Sequence, residues 1–436
     1  MCKHHFSSQA CFVRLSVPYF KRAQIYFALL LCCLVFLSSC TNALDTTTTQ
    51  NTVSSSSPIT THVVSPKSGE NATEDVLRTR LTKIQQMIQQ MTLEQKIGQL
   101  LIVEYFGSDY QSTALPYMIS QQFVGGYLYQ PINHNFDGAM GTISNVKALA
   151  TQANTDAKIP LLIAIDQEGG VVSKTNDFYG PQPSAQTLTQ TSDPTGVLKA
   201  GQQTARNLQR LGINTDFAPV VDVQTVAAQD HPLLGSLDTG DRMFGKDAQS
   251  VATYAGAFLN GLQSSGVLGC LKHFPGLGSL HSYEDPHDGL PLVTRNMTDL
   301  QNIDLAPYKS MIQSNHPAMI MATNVVTAAI DPILPAELSP KAITGVLRGN
   351  LGYNGVVVTD GLYMGGIQKH WSLSEASVLS IIAGDDMIEG PYTPQQVAEI
   401  VQAFKDALQR GRFTEERLNQ SLQRILLMKM QYNILN

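Results

Sequence analysis

Runs of four to six apolar residues recur along the chain, separated by stretches in which apolar residues return every three or four positions. Eight such runs predict strands: Leu100–Val103, Val124–Tyr129, Leu161–Ile165, Phe217–Val221, Val267–Leu271, Ala318–Ala322, Gly355–Thr359 and Ala383–Ile388. The intervening stretches, among them Gly141–Ala157, Thr195–Leu211, Asp247–Ser265, Asn302–Ser314 and Ser339–Leu351, carry helical periodicity. Short, nearly continuous apolar strands alternating with helices indicate a parallel sheet buried on both faces. Eight units in one domain predict the α/β class and a single (β/α)8 TIM-type barrel over residues 76–436. A doubly wound open sheet shares the local pattern, but no glycine-rich dinucleotide fingerprint follows the first strand. A last helix over Thr414–Tyr432 is expected to close against the barrel.

A barrel places its working residues at the C-terminal ends of its strands. Asp166, Asp222, Lys272-His273 and Asp360 each follow an apolar run, and Asp385-Asp386 interrupt the last one. A charge beside a buried strand is costly unless it is paired or serves a site. One such aspartate is explained by a helix cap, but five at equivalent positions point to a pocket.

The first 40 residues follow another logic. They contain Lys3, Arg14, Lys21 and Arg22 and no acid, followed by the apolar run Ile25–Leu37 and then Ser38-Ser39-Cys40. The run is short for a membrane span and suits a signal-peptide core. Leu-Ser-Ser-Cys resembles the bacterial lipobox, which predicts lipidation at Cys40 and a protein exported and anchored to a bacterial membrane. Residues 41–75 are rich in Thr, Ser, Asn and Pro and read as a flexible tether. Five of the six cysteines lie at or before Cys40, leaving Cys270 alone in the expected domain, with no internal disulfide and no cysteine-based zinc site. The formal charge of −6, without a clustered basic face, argues against nucleic acid as a partner. No HExxH or EF-hand pattern occurs, so no metal or organic cofactor is expected. A monomer is expected.

The segment Lys272-His273-Phe274-Pro275-Gly276-Leu277-Gly278, followed by Asp285-Pro286-His287, resembles the signature of glycoside hydrolase family 3, nearest its β-N-acetylglucosaminidase branch. Met91–Leu100, Asp166–Gly170, Asn214–Asp222, Arg242–Gly245, Thr359–Met364 and Ala383–Met387 match the same family in order. The resemblance implies a retaining exo-acting glycosidase for terminal β-linked N-acetylglucosamine, as in peptidoglycan fragments. It implies Asp360 as nucleophile, His287 with Asp285 as the proton-transfer dyad, and Asp166, Arg242, Lys272 and His273 as sugar contacts. Histidine suits that dyad because it gives and takes protons near neutral pH. Asp222 and Asp386 are left outside the catalytic set.

Four positions depart from the family pattern: Val171 and Lys174 where arginines are usual, Leu277 for a basic residue, and Pro286 within the dyad. Proline restricts both itself and the residue before it, so the loop is expected to be stiffer. A broader β-glycosidase, a phosphorylase using the same nucleophile, and a sugar-binding lipoprotein without turnover remain open alternatives.

Overall fold

The computed structural model describes residues 68–138, 141–226, 241–281 and 284–436. The expected signal peptide, Cys40 and most of the tether lie outside the described residues. The first described residues are already helical: the helix Ser68–Gln90 begins inside the stretch expected to be tether.

Eight parallel strands form the sheet: β1 (Leu101–Val103), β2 (Gly126–Tyr129), β3 (Leu162–Ile165), β4 (Thr215–Asp216), β5 (Leu268–Phe274), β6 (Met319–Ala322), β7 (Val356–Thr359) and β8 (Ile388–Glu389). They lie in the order β7-β6-β5-β4-β3-β2-β1-β8. A bridge from Val358 of β7 to Met387, beside β8, joins the two ends and closes the barrel. The barrel strands are almost wholly buried because helices cover their outer faces.

Local chemistry sets the helix boundaries. Asp193 caps the helix Pro194–Arg210, with proline at its first position, and Asp247 caps Ala248–Ser264. Glycines let these two helices meet at backbone distance. A Cβ on Gly201 would lie 2.3 Å from Phe258 O, and one on Gly261 would lie 2.3 Å from Leu198 O. The base of the barrel is closed by the C-terminal helix Glu415–Gln431, which packs against Ser68–Gln90. Its Lys429 donates to Gly125 O (3.0 Å) just below β2, and Lys83 donates to Asn436 O (2.6 Å).

Two expectations are corrected. The fourth strand is Thr215–Asp216, ahead of the apolar run Phe217–Val221, of which Val220 alone bridges to Lys272. The eighth is Ile388–Glu389, because Ala383 ends the helix Leu373–Ala383 and Gly384 turns the chain at φ +124°. Buried helix and buried strand both read as unbroken apolar sequence, so periodicity does not separate them.

This second shift moves Asp385 and Asp386 away from the mouth. They precede β8 and sit at the base. Asp386 accepts from Arg348 Nη2 (2.7 Å), Arg424 Nη1 (2.9 Å), Ser421 Oγ (2.7 Å) and Val357 N (3.1 Å). It ties the last helix to the barrel.

Candidate active site

A cavity of about 260 Å³ opens at the C-terminal mouth of the barrel, lined from β2 to β8 or the loops that follow them. Asp166, Arg242, Lys272, His273, His287 and Asp360 all line it. A wider depression of about 420 Å³ on the outer helices is lined by no ionisable side chain and offers no acid–base chemistry.

On one wall, opposite charges are consumed in a buried network. Lys272 Nζ contacts Asp166 Oδ1 at 2.8 Å and Glu168 Oε1 at 2.7 Å. Arg242 grips Glu168 with Nε and Nη2, both at 2.7 Å. Such a bidentate fork fixes the guanidinium plane. Lys174 adds a 3.2 Å contact to Asp166 Oδ2. Burial alone would push both carboxyls up, but the neighbouring cations outweigh it. Lys174 and Lys272 hold Asp166 below the usual range, and Arg242 and Lys272 hold Glu168 at about 2. Both acids therefore stay ionised, and Lys272 stays protonated because burial is outweighed by Asp166 and Glu168.

His273 reaches the cavity from the same strand and gives its Nδ1 to Asp222 Oδ2 (2.8 Å). Asp222 also accepts from the amides of His273 and Leu277. It supports the loop from behind and does not line the cavity.

Asp360 follows β7. Thr323 Oγ1 donates to its Oδ2 (2.7 Å) and Gly361 N to its Oδ1 (2.9 Å), which fixes the carboxylate orientation. Its own amide donates to Glu337 Oε2 (3.0 Å), a fully buried carboxyl. Across the mouth, His287 sits exposed on the loop after β5, and Asp285 holds it twice. Asp285 Oδ1 lies 2.7 Å from His287 Nδ1 and accepts from His287 N at 2.8 Å. That hydrogen bond, aided by the charge of Asp360, raises the imidazole above its ordinary value.

The loop carrying the dyad is docked on the barrel rim. Gly365 N donates to His287 O (2.8 Å), Gly366 N to Pro286 O (3.1 Å) and Asn324 Nδ2 to Pro286 O (3.1 Å).

The departures from the family pattern fall in different places. Lys174 lines the cavity. Val171 is 57% exposed and does not line the cavity. Leu277 is buried against the cavity wall and turns only its amide to Asp222.

Glu168 lies inside the Asp166–Gly170 match without an assigned role, although it joins Arg242 to Lys272. Thr323, Glu337, Glu104 and Glu389 were also not singled out. Glu104 and Glu389 each continue an apolar run by one acidic residue, the same signal that marked Asp166 and Asp360.

Residues 92–428 match the family model described as the glycosyl hydrolase family 3 N-terminal domain. The chain belongs to glycosyl hydrolase family 3. It is 33% identical over 342 residues to the beta-hexosaminidase LpqI of Mycobacterium tuberculosis, covering 77% of this chain and 82% of that protein. It is 30% identical over 377 residues to beta-hexosaminidase A of Pseudoalteromonas piscicida, covering 78% of this chain and 61% of the relative's length. Among solved structures, a family 3 β-N-acetylglucosaminidase from Paenibacillus superposes with a TM-score of 0.70 at 32% identity. That match covers 79% of this chain and 63% of the other. The solved LpqI structure gives a TM-score of 0.68 at 30% identity, covering 78% and 94%.

Proposed function

We propose that the protein is a retaining exo-β-N-acetylglucosaminidase. The observation that carries this reading is Asp360 and an Asp285-held His287 on the rim of one small cavity, with the ion-paired Asp166, Glu168, Arg242 and Lys272 on its wall. Retention requires a carboxylate to attack the anomeric carbon and a proton donor for the departing oxygen. Asp360, clamped by Thr323 and Gly361, forms the glycosyl ester. His287 keeps Nδ1 on Asp285, so Nε2 gives its proton to the glycosidic oxygen. It then accepts a proton from the water that releases the sugar, as microscopic reversibility requires. Asp285 orients the ring and stabilises its charged form, as the acid of a Ser-His-Asp triad does.

Lys272, Asp166, Arg242 and His273 hold the ring hydroxyls, with Glu168 fixing the two cations. The β-hexosaminidase names of the relatives support an N-acetylated glycone. Peptidoglycan fragments as substrate, and export with a lipid anchor at Cys40, complete the proposal. They rest on the sequence patterns described above.

The test is turnover of a chromogenic N-acetyl-β-glucosaminide by the native chain beside Asp360→Ala. Loss of ~10⁴-fold or more in kcat is expected, as for removal of a covalent nucleophile. Undiminished turnover in the variant would exclude Asp360, and turnover of the corresponding β-glucoside alone would discard the amino-sugar assignment.

A further inference from the structure

The mechanism leaves one part of the cavity unused. Glu104 follows β1, and Glu389 ends its barrel neighbour β8, so two acidic side chains meet at adjoining strand ends. Glu389 lines the cavity and is only 3% exposed, while Glu104 behind it is 1% exposed. The two carboxyls abut, with the hydroxyls of Tyr363 and Tyr392 alongside Glu104. Neither oxygen of Glu104, nor Oε1 of Glu389, has a donor in good hydrogen-bond geometry. Among the described residues no lysine, arginine or histidine forms an ion pair with either acid. The largest charge effects on Glu389 come from Glu104, Asp360 and Asp166, all of them acids.

The cavity is therefore divided. On the Asp166–Glu168 side each acid is already answered by Lys174, Lys272 or Arg242. On the Glu389 side, running to Asp360, acids stand without a cation. Two abutting buried carboxyls cannot both ionise at contact distance, and burial raises both above the usual carboxylate range, so without a cation the pair holds its protons. A cation entering from the substrate side would draw Glu389 into its charged form, since a buried charge is stable only with a partner.

We propose that Glu389, backed by Glu104, is a specificity-determining residue that recognises a free amino group on the glycone, extending the substrates to deacetylated amino sugars. An ammonium supplies both the hydrogen-bond donors and the charge that this wall lacks, whereas a hydroxyl supplies only a donor. The proposal rests on this cavity being the sugar site, and the experiment separates the two.

Binding of D-glucosamine, D-glucose and N-acetylglucosamine is measured by calorimetry for the native protein, Glu389→Gln and Glu104→Gln. Turnover of the three chromogenic β-glycosides is measured in parallel. The native protein is expected to bind glucosamine at least tenfold more tightly than glucose and to cleave the glucosaminide faster than the glucoside. Glu389→Gln should lose at least tenfold in glucosamine affinity while N-acetylglucosamine changes less than threefold. A purely structural residue would weaken both sugars alike. Glu104→Gln leaves the cavity lining intact and should weaken glucosamine severalfold, which keeps the test valid if the first variant does not fold. Equal affinity for glucosamine and glucose in the native protein would overturn the proposal, as would an unchanged glucosamine-to-acetamide ratio in both variants. If none of the glycosides is cleaved, the hydrolase reading falls, while calorimetry still decides for or against the amine.

Discussion

Asp285 Oδ1 meets both the ring Nδ1 and the backbone amide of His287, and the ring contact sets the proton affinity of the imidazole. A general acid works only while protonated, so raising the imidazole extends activity toward higher pH. In Asp285→Asn the ring keeps a neutral partner but loses the negative one. The alkaline limb of the kcat/KM profile should move to lower pH, with kcat falling ~10²-fold. A pH–rate profile with an unmoved alkaline limb would show that Asp285 does not tune the ring. Much of this site was legible in the sequence because strand-end charges are rare and each needs a reason. Glu168 was not, since its role depends on the hairpin Gln167–Gly169 with Val172–Ser173 turning it toward Arg242, a residue far away in sequence. Asp386 misled for the complementary reason. A buried aspartate before a strand and one after it look alike until the strand boundary is known.

At the scale of elements, the dyad loop depends on two glycines that pack against it. A Cβ on Gly365 would lie 2.6 Å from His287 O, and one on Gly366 would lie 2.6 Å from Gly289 O. The loop backbone would have to retreat to make room. Gly365→Ala should therefore displace His287 by a fraction of an ångström or more and lower kcat ~10–100-fold, given how steeply rate falls with misplacement. The melting temperature should stay close to that of the native protein, because the loop lies outside the apolar core. Equal loss of activity and of stability would mean that the glycine serves the fold and not the loop. Most strands of the barrel were legible as apolar runs because each is buried on both faces. The fourth and eighth were misplaced where the apolar run outlasts the strand or begins within a helix.

At the scale of the whole molecule, catalysis and closure occupy opposite ends of the barrel. The base carries the arginines that hold Asp386 and also Lys429, a fully buried lysine with two neutral neighbours, Gly125 O and Gln99. Burial lowers its amine to about 7. Between about pH 7 and 10.5 the unfolded chain thus holds more protons than the folded one, so stability from this group rises with pH across that window. Below about 7 the burial cost is present in full. Lys429→Met should raise unfolding free energy by ~2 kcal/mol at pH 6 and flatten the rise between pH 7 and 9, as read from urea denaturation at several pH values. An unchanged or lower stability at pH 6 would show that the hydrogen bonds to Gly125 and Gln99 outweigh the cost of burying the amine. The position of Ser68–Gln90 has a further consequence. This helix lies on the helix that seals the base and then leads the chain through Leu93–Gly98 into β1 from below. A bead coupled through a cysteine placed at the exposed Leu77 of this helix would sit at the base and leave the open mouth free to meet large glycans.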